Sequence, residues 1–346
     1  MIKIQQRVPL APYTTLKIGG PARFFVVVKS LEDLKEALTW AKEKKEKIFI
    51  LGGGSNVLIT KPFSGLVIKN EISGSEIVKE SAQSVWFAGY SGEIWQKFVD
   101  TAVSHDWSGL ENLASIYGTV GAAPVQNIGA YGQELKDIFH SLEAINLKTG
   151  QLKVFKGVDC QFGYRDSIFK KSLKGKYFIY RVTVKLSKKP CFNLDYGGLK
   201  EILAAKRIKT PTVRQVARAV TELRATKLPT PALLPNAGSF FKNPEVAASK
   251  FKKIQKRWPE IKYFPGSKPG TIKIPAGWLI EQAGFKGKRF GAVGVYEKQA
   301  LILVNYGGAT ATQVLAQVKR VIKGVKERFG LTLEPEVNII PPLTKK

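Results

Sequence analysis

Apolar positions along this chain alternate between stretches of strand character and stretches of helical spacing, and the changes between the two outline its elements. Residues 23–28, apolar apart from Arg23, read as a buried strand. Ser30 then caps a helix, with Asp33 at the capping-box position and Leu31, Leu34, Ala37, Leu38 and Ala41 forming one apolar stripe. A short strand, Ile48 to Leu51, runs into Gly52-Gly53-Gly54-Ser55-Asn56 and then into a second apolar run, Val57-Leu58-Ile59. The pattern predicts a helix from Glu93 to His105, glycine-rich turns from Ser115 to Gly132, and strands over 142–155 and 178–186. From Val213 to Leu223 the spacing is helical, and the proline-rich Leu228–Pro235 reads as a hinge. A long amphipathic helix is expected over Ala311–Phe329, with Val314, Leu315, Val318, Val321, Ile322 and Val325 on one face, and a strand from Leu331 to Ile340 closes the chain. This order is α+β with mixed sheets, not a regular βαβ alternation.

A length of 346 residues suffices for about two or three domains. No stretch nears the ~18 consecutive apolar residues of a spanning helix, and residues 1–10 hold no apolar signal core. A cytoplasmic protein without membrane insertion is therefore expected. Cys160 and Cys191 are the only cysteines and His105 and His140 the only histidines. That excludes a disulfide framework or zinc ribbon as the organising principle, and no metal is expected. The net charge of +28 has two readings: binding of polyanions such as nucleotides, diphosphates or nucleic acid, or a solvated basic surface. Its densest part, Lys242 to Arg289, carries twelve basic and three acidic residues. No helix-turn-helix, zinc-finger or RNP-type motif accompanies it, which argues against dedicated nucleic-acid recognition.

The candidate chemistry starts from Ser239, in Asn236-Ala237-Gly238-Ser239-Phe240-Phe241-Lys242-Asn243-Pro244. No histidine accompanies it, so it is a poor nucleophile, but it can donate a proton. Arg165, between Tyr164 and Asp166, and Glu336, in Leu333-Glu334-Pro335-Glu336-Val337, are the other candidates. An arginine and a carboxylate beside a proton-donating serine suit a reaction that builds negative charge on a substrate carboxylate and then protonates carbon. That is reduction of an activated double bond rather than hydrolysis. Plainer readings stand beside these: a salt bridge from Arg165 to Asp166, and an outward-facing edge position for Glu336. In Gly52–Asn56, glycines let successive backbone N–H groups cradle a diphosphate. No helix follows, so this is not the dinucleotide fingerprint, and taken alone it reads as a turn. The segment from Ser115 to Gly132 adds small residues that let a flat ring or phosphates press on backbone, and the amides of Gln126 and Asn127. Two such loops raise the case for a bound dinucleotide.

Taken in order, these segments resemble the UDP-N-acetylenolpyruvoylglucosamine reductase family, flavoenzymes of bacterial peptidoglycan precursor synthesis. The likeness begins at Thr14-Thr15-Leu16-Lys17-Ile18-Gly19-Gly20-Pro21-Ala22 and ends at Leu333–Val337, and it includes Arg224-Ala225-Thr226-Lys227-Leu228-Pro229 and Ala276-Gly277-Trp278-Leu279-Ile280. It implies an FAD-binding unit of the p-cresol methylhydroxylase and vanillyl-alcohol oxidase kind in two subdomains, residues 1–75 and 76–228. An α+β substrate-binding domain, 229–332, and a C-terminal strand, 333–346, follow. By resemblance, FAD is held by Gly52, Gly53, Gly54, Ser55 and Asn56, and by Gly118, Thr119, Gly121, Ala122, Gln126, Asn127 and Gly129. Arg165, Ser239 and Glu336 match the catalytic positions. Tyr164, Tyr196, Lys227, Asn243, Lys273, Lys286 and Gln299 match positions near the nucleotide-sugar or NADPH, although as isolated residues the lysines read as solvated surface. Asp195-Tyr196-Gly197-Gly198-Leu199 is similar to the loop of the subclass that closes a tyrosine over the substrate. The implied reaction is NADPH-dependent reduction of UDP-N-acetylglucosamine enolpyruvate, with Ser239 protonating the α-carbon, in a monomer. Tyr117 departs from the expected proline, and Ala122-Ala123 stands where some relatives have serines. The rival expectations are a flavin oxidase sharing only the FAD unit, and a basic nucleic-acid-binding protein.

Overall fold

A computed structural model describes residues 2–342, and the chain divides into two compact units. The first takes the chain as far as Val8, then Ala22–Gly53 and Phe63–Thr226; the second takes Pro9–Pro21, Gly54–Pro62 and the chain from Lys227 onward.

The first unit holds two large sheets. One is four-stranded, in the order Gln5–Pro9, Pro21–Val28, Phe63–Asn70, Ile48–Leu51. Phe63–Asn70 runs parallel to both of its neighbours, and an inner parallel strand needs cover on its faces. Helix Leu31–Glu43 covers one, packing Leu34, Ala37, Leu38 and Ala41 against Val26, Val28, Leu66 and Ile68. The Ser30 hydroxyl caps this helix by accepting the Asp33 N–H at 3.1 Å. The Asp33 carboxylate reaches one residue further back than a capping box requires, accepting the Lys29 N–H at 2.8 Å. The other sheet is five-stranded and antiparallel: Leu152–Lys156, Phe139–Asn146, Tyr177–Ser187, Ser84–Tyr90, Ser75–Glu80. The strand predicted over 142–155 is thus a hairpin. Its turn is made by Asn146, whose side chain accepts the Lys148 and Thr149 N–H groups at 2.9 and 3.1 Å, and by Gly150 at a φ of 74°.

Helix Trp95–Ser104 buries Trp95, Phe98, Val99 and Ala102 on this second sheet. It starts two residues later than Glu93, because the Glu93 carboxylate is used in accepting the Gly74 and Ile94 N–H groups at 2.6 and 3.2 Å and Ile94 is extended.

In the second unit, an antiparallel sheet runs Asn236–Ser239, Ile302–Asn305, Val293–Val295, Arg289–Phe290. Helix Ala311–Phe329 has the predicted bounds, set by a capping box between Thr310 and Gln313 and by Gly330 in the left-handed region. Its buried Val314, Val318, Val321 and Val325 join Phe240, Leu279 and Ile280 in one core. A smaller sheet joins Glu245–Ala247, Thr271–Lys273 and Phe264–Pro265, and Val57–Ile59 pairs in parallel with Asn338–Ile340.

The closing strand is shorter than Leu331–Ile340: only Asn338–Ile340 is continuous, preceded by a single bridge between Pro335 and Phe241. Pro335 has no N–H to extend a ladder. Positions 343–346 of the expected C-terminal strand lie outside the described residues. Among the described residues no helix is long and apolar enough to cross a membrane, and no group of three metal-ligating side chains occurs.

Phe98 lies flat on Phe87, with ring centroids 4.5 Å apart and planes 6° from parallel, and it is fully buried. Phe98→Ala is expected to destabilise the protein by about 3–5 kcal/mol, read as a lower urea midpoint with an unchanged slope.

Candidate active site

Strand Ile48–Leu51 ends at Gly52 and Gly53, and the structure brings these against the second glycine segment. A β-carbon on Gly52 would lie 2.8 Å from Thr119 Oγ1, and one on Gly53 would lie 2.9 Å from Gly118 Cα. Only glycine permits this approach. Gly118 and its neighbours are fixed from behind. The Gly118 carbonyl accepts the Trp95 N–H at 3.1 Å, Val120 N–H donates to Glu93 at 2.9 Å, and Gly121 N–H donates to Ser91 at 3.0 Å. Among the described residues, neither the Gly52 nor the Gly53 N–H donates to a backbone carbonyl. Paired loops with free N–H groups and no side chains fit a diphosphate, so this chain's residues suit FAD. Ala122 is exposed and Gln126 half-buried on the same segment. Gly54, Ser55 and Asn56 belong to the second unit. There Gly54 O accepts the Thr15 N–H at 3.1 Å, and Asn56 O accepts both the backbone N–H and Nδ2 of Asn338 at 3.1 Å.

Arg165 stands at the tip of a tight turn closed by hydrogen bonds in both directions between Gly163 and Asp166, at 3.0 and 3.2 Å. Its φ of 52° is unusual for a side chain of this size, and such strain collects at functional sites. The guanidinium lies 5.3 Å from the centre of the Tyr164 ring, donates from Nη2 to Gly129 O at 2.6 Å, and pairs with Glu134 at 3.9 Å. Asp166 pairs with Lys171 at 2.5 Å. Asn127, expected at the flavin, is fully buried. It donates to Gly163 O and Glu134 at 3.0 Å and accepts the Lys136 N–H at 3.0 Å, so its side chain braces the Arg165 turn.

Two neighbours carried no role from the sequence. Arg224 donates from Nε to Ser115 O at 3.1 Å. Burial lowers its pKa, opposed by Tyr131 and Tyr117 and reinforced by Arg165. Asn112, fully buried, donates to the carbonyls of both Tyr131 and Asn193 at 2.8 and 2.7 Å, tying down the base of the Tyr196 loop. Tyr196 itself is 42% exposed, and Gly197 and Gly198 after it sit at φ 75° and 91°. The presence of Arg224 in the Arg-Ala-Thr-Lys segment was the available signal for the first. Asn112, in an unremarkable run, offered none.

In the second unit the segment after Ser239 pairs with the segment that carries Glu336. Glu336 N–H donates to Phe240 O at 2.8 Å, Lys242 N–H donates to Glu334 O at 2.9 Å, and Phe241 bridges Pro335. The buried rings of Phe240 and Phe241 anchor this pairing. A register shift between Asn236 and Ser239 re-aims the serine. The Asn243 side chain accepts the Ala276 N–H at 2.9 Å, at the start of helix Ala276–Gln282. Gln299 Oε1 accepts the Leu301 N–H at 3.3 Å. Lys286 pairs with Glu281 at 2.7 Å, and Lys227 is exposed at the end of helix Val213–Lys227.

Lys273 faces Glu245 across paired strands at 3.6 Å. Burial opposes ionisation of Glu245, but hydrogen bonds from Ser267 N–H and Oγ at 3.0 and 2.6 Å, with Lys273, outweigh it and hold the carboxyl below its ordinary value.

Comparison with known proteins decides the family. Residues 229–340 match the model of the UDP-N-acetylenolpyruvoylglucosamine reductase C-terminal domain, and residues 22–156 match an FAD binding domain. A UDP-N-acetylenolpyruvoylglucosamine reductase of Flavobacterium johnsoniae is 48% identical over 98% of this chain and 100% of its own length. The Pseudomonas aeruginosa enzyme of the same name is 44% identical over 98% and 99%. The chain belongs to the UDP-N-acetylenolpyruvoylglucosamine reductase family. The crystal structure of the Thermus caldophilus reductase aligns over 98% of this chain and 99% of its own, with a TM-score of 0.66 at 27% identity. A flavin oxidase sharing only the FAD unit does not account for the match to the C-terminal domain of the reductases.

Gly129 leaves room for Arg165, because a β-carbon there would lie 3.0 Å from Nη1 and 2.8 Å from Gln133 O. Gly129→Ala is expected to lower kcat at least about tenfold through misplacement of the guanidinium, measured by steady-state kinetics on flavin-loaded protein. For Glu245, a depressed folded pKa means stability that is full above the unfolded carboxyl pKa and is lost as pH falls through the folded one. Acid unfolding followed by circular dichroism should show Glu245→Gln less stable than the parent at neutral pH, with the gap closing on acidification.

Proposed function

We propose that this chain reduces UDP-N-acetylglucosamine enolpyruvate to UDP-N-acetylmuramate, using NADPH and bound FAD, in peptidoglycan precursor synthesis. The observation that supports the reading is the backbone pairing of Phe240, which follows Ser239, with Glu336, in a chain that matches the reductase C-terminal domain. FAD held by Gly52, Gly53, Gly118 and Thr119 would supply the redox chemistry, a hydride for the β-carbon of the enolpyruvyl double bond at the expense of NADPH. As that bond is reduced, charge gathers on the substrate carboxylate. Arg165 is the cation that meets it, a fork of donors whose charge does not titrate, and Glu336 assists in polarising the carboxylate. Fixed charges of this kind contribute several kcal/mol to the barrier. Ser239 Oγ then gives its proton to the α-carbon. A serine hydroxyl is a weak acid, but the carbanionic acceptor is a strong base, so the transfer is downhill.

Tyr196, on its two-glycine hinge, closes over the nucleotide-sugar in this reading. Lys227, Asn243, Lys273, Lys286 and Gln299 lie along the diphosphate and base or the NADPH. A cytoplasmic location and a monomeric form belong to the same reading.

The two halves of the reaction separate in an anaerobic spectrum. Adding NADPH should bleach the flavin band and adding the enolpyruvyl substrate should restore it. Ser239→Ala should still bleach with NADPH yet turn over about 10²–10⁴-fold more slowly. Loss of bleaching in that variant would contradict a role confined to protonation.

A further inference from the structure

Lys69 lies near the end of strand Phe63–Asn70, in register with Leu51 and so level with the entry to the glycine loop. Its Nζ donates to the Gly52 carbonyl at 3.0 Å. The side chain is half-buried, and among the described residues no carboxylate comes within ion-pair distance of it; Glu71 is the one acidic group that supports its charge. Burial draws its pKa down from the ordinary lysine value. A partly desolvated cation without a close counter-charge is unfavourable unless an anion comes to share its field.

The bond to Gly52 has a geometric consequence. In a trans peptide the C=O and the following N–H point in opposite directions. With the Gly52 carbonyl drawn towards Nζ, the Gly53 N–H is turned away from it, and that N–H donates to no backbone carbonyl among the described residues. Two consecutive glycines would otherwise leave the orientation of this peptide loosely determined.

We propose that Lys69 is a positioning residue of the diphosphate site: its Nζ holds the Gly52 carbonyl so that the Gly53 N–H is presented to the diphosphate of FAD, and its charge supports that anion. The proposal rests on the reading that Gly52, Gly53, Gly118 and Thr119 cradle the cofactor.

The test uses full-length apo-protein titrated with FAD and followed by flavin fluorescence, with the unfolding temperature of each apo variant as a check on the fold. Lys69→Met should weaken FAD binding about 10- to 100-fold, the range for a lost charge-assisted contact, with the apo unfolding temperature unchanged. Lys69→Arg, which keeps a charged donor, should recover most of the affinity. Should the methionine variant unfold, Lys69→Gln takes its place and is read in the same way. Unchanged FAD affinity in the neutral variant, or an arginine variant as weak as the neutral one, overturns the proposal. Gly53→Ala separates the two layers of the argument, because its β-carbon would collide with Gly118 Cα. If that variant also binds FAD normally, the placement of the cofactor is wrong. If it loses FAD while Lys69→Met keeps it, only the role of Lys69 falls.

Discussion

The space that a β-carbon on Gly53 would take is already filled, 2.9 Å away, by the Cα of Gly118. Much of the first unit is arranged to hold that contact. From one side the parallel strand Phe63–Asn70 orders Ile48–Leu51 and with it the turn into Gly52. From the other, helix Trp95–Ser104 spends its first N–H on the Gly118 carbonyl, while Glu93 and Ser91 take the N–H groups of Val120 and Gly121. Backbone meets backbone with nothing between, so the donors left over point at whatever enters the groove. A side chain at Gly53 would force the two supports apart, and both belong to hydrophobic cores with little freedom to yield.

The second unit solves a different problem: pairing two segments from distant parts of the chain. The pairing of Phe240 and Lys242 with Glu336 and Glu334 does this with main-chain bonds, which fix register. Phe240 and Phe241 fill the core beneath. This short pairing therefore rests on buried aromatic packing.

How much of this could be read in advance follows from the range of the forces involved. Helix Ala311–Phe329 was legible to the residue because its stripe, its Thr310–Gln313 box and its Gly330 stop are all local. The helix after Ile94 was legible in kind but started late, since Glu93 is claimed by Gly74, just before strand Ser75–Glu80. The terminal strand was overextended, because apolar spacing does not reveal that a single bridge at Pro335 is all that precedes Asn338–Ile340. At the site, the motif residues were legible as a set. Lys69 was not, because in sequence it is one more lysine closing a strand and its meaning lies in the Gly52 carbonyl it reaches. The bonds of the Asn127 side chain to Gly163 O, Glu134 and the Lys136 N–H were likewise not legible, because each partner is reached only in the fold.

The parallel pairing of Val57–Ile59 with Asn338–Ile340 has a consequence for how the chain is made. The Asn338 side chain reaches Asn56 across 282 positions of sequence. Translation runs from the N-terminus, so Val57–Ile59 leaves the ribosome long before the strand it pairs with exists. The first unit can close around its own strands during synthesis, but the second must wait for Asn338–Ile340. Contacts of such separation are slow to form, and an apolar segment kept waiting is exposed to aggregation or to a chaperone. For this chain, a ribosome stalled before Asn338 leaves one unit able to close and the other without the partner of Val57–Ile59.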